Sequence, residues 1–373
     1  MRLVQTDCAV DGARLAMDVY GGHSAATPLL RAGVELDDRY RRALTGAGVA
    51  RVLVEDVDSE GIIVKPALPQ AARTEAATRY GALLDQCRGS FARGERMAWD
   101  AVAEAEKIAF LLREESLTDD DSAVVLVDTT GAAAYRVQHA IDTTVLGLRI
   151  ARRLFGERGR VTGGGGRSTE GIDDALRRLA LGLLLHDLGI GDGTDSFLVL
   201  DGSVIDPPAE EERAHVERGH DFLPHFVVSA HAAAVVRAHH ERWDGRGPSG
   251  FIADRIPQFA RIAAVADVFD ALTSERPDLP AVPPHIAFSA IARGADSLFD
   301  PEVVEVFSSV VAPYPPGTEV TLSDGSAGLV SSVPATAPHR PLVRLLRDPS
   351  GQRMEPREVA LAQSTSLTIA RAA

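Results

Sequence analysis

The chain is poor in cysteine. Only Cys8 and Cys87 occur in 373 residues, and neither belongs to a CxxC pair. That count excludes a disulfide framework, and two isolated thiols point to a reducing compartment. Long hydrophobic runs are missing too. The longest apolar clusters, such as LALGLLL at 179–185, fall far short of the roughly 20 residues that a membrane span needs. The N-terminal residues lack the charged-then-apolar layout of a signal peptide, so a cytoplasmic protein with no membrane span is expected. Positive charge is also in short supply. The chain has 39 Lys and Arg against 53 Asp and Glu, a formal net charge of −14. This argues against broad capture of a DNA or RNA polymer. A small anionic ligand stays compatible with that field only where local positive charge, such as bound metal ions, reverses it. No internal repeat is present.

What is there describes a globular protein. Hydrophobic residues make up 45% of a chain long enough for two or three domains. Residues 1–75 mix short strand-like runs with turns. RVLVED (51–56) and GIIVKP (61–66) predict a hairpin, and LDDRYRRALTGAGV (36–49) predicts a short helix stopped by glycine. From about residue 76 the pattern turns helical, with long helices over 97–117 and 134–155 and further ones at about 173–188, 209–222, 226–242, 256–273, 283–294 and 301–310. VTGGGGRSTEG (161–171) lacks the GxxxxGK[ST] phosphate-loop layout, and its four glycines predict a flexible linker without regular structure. FLVLDGSVI (197–205) predicts a small hairpin. Pro313, Pro315 and Pro316 end the helical region, and the tail becomes strand-like with Gly-containing turns. The expected fold is mainly α: a helical bundle at 126–313, preceded by a small α+β module at 1–75 and a helical connector at 76–125, and followed by a β-barrel or β-sandwich module at 314–373. Helix 97–117 suits packing within the chain and packing between two copies in a homodimer equally well.

The helical middle carries a spaced series of metal-type side chains: His139, His186–Asp187, His215, His239–His240 and Asp267. Each falls on or at the end of a predicted helix, so they can converge in a bundle core. Imidazole nitrogen and carboxylate oxygen suit divalent iron, manganese, zinc or nickel. The HD pair is the centre of the pattern. An aspartate beside a histidine can bridge two ions while the histidine binds one, and two ions about 3.5–4 Å apart clamp a phosphoryl group. Each residue alone is weak evidence, since a single buried histidine is more often a satisfied core group. The ordered series is strong evidence.

The series resembles the HD-GYP subgroup of the HD-domain metal-dependent phosphohydrolases. The matching residues are His139, HDLG (186–189), HVERG (215–219), HHERWDGRG (239–247) and ARIAAVADVFDALTSERP (260–277). The resemblance implies an HD domain hydrolysing cyclic di-GMP, a bacterial second messenger, to pGpG or GMP, or else a related cyclic nucleotide or another small phosphate ester. It implies two divalent ions, iron or manganese first. His139, His186, Asp187 and Asp267 would hold one. Asp187 as bridge, with His215, His239 and His240, would hold the other, and a hydroxide between the ions would attack phosphorus. Asp187, Asp270 and Glu241 are the candidate catalytic carboxylates, Asp270 orienting the bridging water and Glu241, with Asp244, supporting the ligands and shaping the loop. Arg246 first, then Arg242, Arg276 and Arg261, are candidate phosphate contacts.

The chain departs from the family at four places. Tyr135 stands where a third-metal glutamate occurs in some members, which predicts two ions. Ile190 replaces the lysine of HDxGK, a general acid or phosphate contact. Gly247 is followed directly by Pro248, so the motif tyrosine that helps hold guanine is missing. Asp278 and Leu279 replace a Tyr-Arg pair. The residues therefore leave three other functions open: a degenerate signalling module that binds metal and turns over slowly or not at all, a hydrolase of another phosphate ester, and oxygen chemistry at a di-iron site.

Overall fold

The computed structural model describes residues 1–9, 12–20, 28–49, 51–118, 123–124, 135–158, 161–163, 166–168, 171–190, 209–276 and 280–372. Strands β1 (Arg2–Gln5), β2 (Arg14–Leu15) and β3 (Arg51–Glu55) form an antiparallel sheet in the order β1-β3-β2. The run RVLVED does form a strand, but its partners differ from the expected hairpin. Leu3 pairs with Leu53 and Leu15 with Val54, while residues 61–66 form no strand. Val52, Leu53 and Val54 are all buried, so β3 is a central strand that needs a neighbour on each edge. Ile62 and Val64 pack instead against the C-terminal module and its lead-in, Ile62 on Leu329 and Leu346, Val64 on Ala312. Helix α1 (Asp38–Gly46) starts at Asp37, whose carboxylate accepts the Tyr40 amide at 2.8 Å.

Nine further helices make the body: α2 (Gln70–Ala92), α3 (Trp99–Ser116), α4 (Tyr135–Arg158), α5 (Ile172–Leu185), α6 (Ala209–Phe222), α7 (Ala230–Ala238), α8 (Gln258–Thr273), α9 (Pro284–Arg293) and α10 (Pro301–Val310) among the described residues. Asp300 caps α10 by accepting the Glu302 amide, and Pro301 occupies the first turn, where no intrahelical donor is lost. A single buried apolar cluster runs from Leu68 to Val311. The stretch expected as a connector lies within it: Tyr80, Leu83, Ile108 and Leu112 share this core, and α2 starts at Gln70. Glycines bring the central helices close. A Cβ on Gly147 of α4 would lie 2.6 Å from Leu183 of α5, and one on Gly182 of α5 would lie 2.8 Å from Val235 of α7. No helix among the described residues is long and apolar enough to cross a membrane.

The glycine-rich stretch corrects its expectation. Strands β4 (Val161–Gly163) and β5 (Gly166–Ser168) pair antiparallel, with Val161 opposite Ser168. Gly163 pairs with Gly166 at the end of the ladder. The hairpin expected at 197–205 lies outside the described residues, as do Asp278 and Leu279.

Strands β6 (Glu319–Leu322), β7 (Ala327–Ser332), β8 (Leu342–Arg347), β9 (Arg353–Ala360) and β10 (Ile369–Ala372) form one antiparallel sheet in the order β10-β6-β7-β8-β9. The tail is thus a single five-stranded sheet over its own small core of Val320, Leu322, Val330, Val343 and Leu345, and two packed sheets of a sandwich are not found. Gly325 and Gly351 hold φ of +91° and +83° in its turns, a region that favours glycine.

Arg73 of α2 reaches into the core beside α4. Its guanidinium donates to both Asp142 oxygens, at 2.6 and 2.9 Å, and to Gln138 at 2.9 Å. The pair is buried, with relative exposures of 9% and 4%. Substituting Arg73→Ala leaves Asp142 buried with its guanidinium removed, and a loss of about 3–5 kcal/mol is expected in urea denaturation. A loss under about 1 kcal/mol would show that water replaces the guanidinium at no cost.

Candidate metal centre

The site lies where α4, α5, α6, α7 and α8 meet. His139 lies on α4, and His186 caps the C-terminus of α5, whose first turn carries Asp173 and Asp174 against the helix dipole. Asp187 follows at once, and Leu188–Ile190 form one 3-10 turn. His215 comes from α6, His239 caps α7 with His240 beside it, and Asp267 comes from α8. All seven expected ligand residues are brought together.

Asp187 stands between two histidine pairs. Its Oδ2 lies 3.4 Å from His186 Nε2 and 3.7 Å from His139 Nε2, while its Oδ1 lies 3.5 Å from both His215 Nε2 and His239 Nε2. Asp267 Oδ1 lies 3.0 Å from His139 Nε2 and 3.8 Å from His186 Nε2, and its Oδ2 lies 4.0 Å from His240 Nδ1. Two groups have ligand atoms within 4.8 Å of one another: His139, His186 and Asp187, and Asp187, His215, His239 and His240. The residues fit metal ions on chemical grounds. His186 Nδ1 donates to the Leu183 carbonyl at 2.7 Å and His239 Nδ1 to the Val235 carbonyl at 3.1 Å, which turns each Nε2 lone pair into the pocket. Yet His186 Nε2 lies 3.3 Å from His139 Nε2, and His239 Nε2 lies 3.3 Å from His215 Nε2. His186 and His239 thus each turn an acceptor to a second imidazole, a contact that needs a proton or a cation between the two nitrogens.

The electrostatics agree. Burial alone would strip His139 of a proton, but its hydrogen bonds to Asp267 and Asp270 prevail and hold its pKa well above the ordinary value. Burial opposes ionisation of Asp187, yet His186, His215 and His239 keep its carboxyl well below the usual range. Burial likewise opposes ionisation of Asp267, and His139 and His186 keep it ionised. Burial, then His239 and His215, push the His240 pKa well down. Burial lowers the His186 pKa, but Asp187 and Asp267 prevail and raise it. Ionised carboxylates and the neutral His240 are the forms that bind metal, and His139 and His186 would release a proton to an incoming ion.

The polar neighbours of the ligands have partners of their own. Asp270 lies behind the His139 ring. Its Oδ2 accepts from His139 Nδ1 at 2.7 Å, on the ring edge opposite the pocket, and its Oδ1 accepts from Ser274 at 3.2 Å. It orients the imidazole. The Glu241 oxygens accept the Ser249 and Phe251 amides at 2.7 and 3.1 Å and tie down the loop. Arg242 is bonded to Asp244 at 2.9 and 3.2 Å, Arg261 to Asp300 at 2.6 Å, and Arg276 is buried. Arg246 remains, with 78% of its side chain exposed on the loop beside the ligands.

Other contributors escaped sequence reasoning. Tyr135 stacks on His139, ring centroids 5.1 Å apart, and Tyr80 of α2 donates to the Leu184 carbonyl at 2.7 Å, two residues before His186. The glycines of HDLG and HVERG are a steric requirement. A Cβ on Gly189 would lie 2.0 Å from the His215 carbonyl oxygen and 2.4 Å from the Gly219 nitrogen. That contact seats α6 on the 3-10 turn and carries His215 to Asp187. The signal was visible as paired motif glycines, but its cause needed the contact. Gly247 is similar: a Cβ there would lie 2.6 Å from the Glu241 Cα.

Residues 174–303 match the family model for the HD domain, and residues 319–373 match that for a KOW domain associated with HD domain. The helical body thus carries a match to the HD domain. The chain is 32% identical over 281 residues to a cyclic di-GMP phosphodiesterase of Pseudomonas aeruginosa, a match covering 72% of this chain and 63% of that protein. It is 34% identical over 138 residues to the cyclic di-GMP phosphodiesterase response regulator RpfG of Xanthomonas campestris, 36% of each chain. It is also 34% identical over 128 residues to a 3'3'-cGAMP-specific phosphodiesterase of Vibrio cholerae, 34% of this chain and 27% of that one. The chain thus spans less than two thirds of the length of these relatives. These similarities agree with the resemblance of the motif series to the HD-GYP subgroup.

The Gly189–His215 contact yields a direct test. Gly189→Ala is expected to cost about 2–3 kcal/mol of stability through overpacking, read by thermal denaturation of the metal-free chain. An unchanged Tm would contradict the steric account of the motif glycine.

Proposed function

We propose that the chain is a metal-dependent phosphodiesterase that opens the ring of cyclic di-GMP, or of a related cyclic dinucleotide, to the linear product or on to mononucleotide. The observation that carries this is Asp187, which turns one oxygen to each of two histidine pairs. His139, His186, Asp187 and Asp267 would hold one divalent ion, and Asp187, His215, His239 and His240 a second. Mixed imidazole and carboxylate ligation suits iron or manganese. When bound, such ions lower the pKa of water and neutralise charge developing on a phosphoryl group. The chain's own residues supply orientation. Asp270 fixes the His139 ring, the Leu183 and Val235 carbonyls fix His186 and His239, and Glu241 holds the loop from which Arg246 would meet a substrate phosphate. The relatives named above act on cyclic di-GMP and on cGAMP, which supports the substrate class. The catalytic unit is assigned to 126–313, flanked by modules at 1–75 and 314–373, with helices of the 76–125 stretch packed on it.

A second reading is favoured by Ile190. It is buried at 8% exposure where the subgroup carries lysine, and an isoleucine neither donates a proton nor carries charge. The chain would then bind metal and signal with little turnover.

The two separate in one experiment on the purified chain: metal content, and hydrolysis of cyclic di-GMP and cGAMP with manganese. About two ions per chain with product formation is expected, and His186→Ala/Asp187→Ala should remove both. Two ions without product would replace the enzyme with the signalling module, and product from the double variant would overturn the site assignment. Asp270→Asn is expected to weaken metal affinity about 10- to 100-fold with the fold intact, measured by metal titration and circular dichroism. Unchanged affinity would remove Asp270 from the support of His139.

A further inference from the structure

A cavity of about 380 Å³ lies behind the metal centre, where three parts of the chain meet. Leu3, Arg51 and Leu53 line it from the N-terminal sheet, Asp270 and Ser274 from the end of α8, His285 from the start of α9, and the 311–319 segment from the entry to the C-terminal sheet. Its volume falls in the range of small-molecule sites, about 300–1,000 Å³.

The chemistry of the lining selects a ligand. Three of its four carboxylates are engaged, and the fourth, Glu319, is exposed. Asp142 pairs with Arg73, Asp270 with His139 and Ser274, and Glu275 accepts the Ala281 amide at 3.1 Å. Arg51 differs. Among the described residues it makes one hydrogen bond, at 3.3 Å to the Ala281 carbonyl, which leaves most of a five-donor fork for another acceptor. Leu3, Val64, Phe269 and a run of prolines give apolar walls, and His285, stacked on Tyr314 with centroids 5.4 Å apart, gives a flat one. Spare donors beside apolar and planar walls suit an organic anion, a carboxylate or phosphate on an apolar or aromatic body.

The cavity also adjoins a hydrogen-bonded path to the metal centre. Arg51 holds the Ala281 carbonyl, the Ala281 amide holds Glu275, the next residue Ser274 donates to Asp270, and Asp270 accepts from His139. We infer that the cavity is a binding site for a small organic anion and that its occupancy is transmitted to His139 through Ser274 and Asp270. Binding stands on the cavity alone, and only its consequence for turnover rests on the function proposed above. The N-terminal module thereby acquires a role as one wall of an effector site.

The test uses the full chain freed of metal with a chelator, so it is independent of phosphodiesterase activity. Phenyl phosphate and phenylacetate are titrated by calorimetry, with benzylamine as the cationic control. Saturable binding of an anion, weakened about tenfold in Arg51→Ala, is expected. Val64→Trp, which fills the cavity while keeping Arg51, should abolish it. The His139 imidazole ¹⁵N signal, assigned by its loss in His139→Gln, should shift on anion binding in the parent chain and stay fixed in Ser274→Ala. No saturable binding, equal binding of benzylamine, or binding unchanged in both cavity variants overturns the site. A His139 shift that survives Val64→Trp places the anion on the histidine cluster and overturns it as well. Binding without any His139 shift overturns the transmission. Absence of cyclic di-GMP turnover would remove the proposed function and leave the binding result standing.

Discussion

The structure depends on one constraint: several imidazole nitrogens and two carboxylates must share a volume from which water is largely excluded. His186 is fully buried, and His139, His215 and His239 are 1–3% exposed. Each Nε2 faces another across 3.3 Å. Such groups are costly to bury without a counter-ion. Much of the surrounding fold holds the acceptors in two groups that could each take a cation. Backbone carbonyls of α5 and α7 set two tautomers, Asp270 sets a third ring, and Asp187 joins the two halves. A protonated His139 between Asp267 and Asp270 stands in for part of that positive charge in the metal-free chain.

Helix packing is subordinate to this demand. Gly147, Gly182 and Gly189 stand where a methyl group would collide with a neighbouring helix or its carbonyl. Each sits within a turn or two of a ligand, or on the helix that carries one. Close approach at these points shortens the distance between helix ends enough for five elements to contribute to a single pocket. The buried Arg73–Asp142–Gln138 group and the Tyr80 hydroxyl then tie α2 to α4 and α5 from behind. The helices before residue 126 thereby belong to the mechanical support of the site.

The loop after His240 shows how a motif persists while its chemistry changes. Glu241 gathers the Ser249 and Phe251 amides, Gly247 leaves room for the Glu241 backbone, and Asp244 gathers Arg242 and the Arg246 amide. The loop is therefore a folded unit that tolerates Pro248 in place of the family tyrosine. Arg246 is left exposed on it.

The sequence by itself determined the ligand series, its helical setting and the mainly α class with a β tail. Those depend on residue type and on periodicity of 3.6 or 2, both local properties. It also marked the glycines of HDLG and HVERG. Tertiary structure alone decided what each polar neighbour does. Asp270 lies one helical turn from Asp267, and a turn's rotation places it behind the His139 ring instead of in the pocket. Glu241, Arg242 and Arg261 look free in sequence because their partners, the 249 and 251 amides, Asp244 and Asp300, are found only by folding. The same holds for RVLVED, whose partner strand is 50 residues away instead of five. A side chain's chemistry is written in its type, but its role is set by the partner it meets, and partners are long-range.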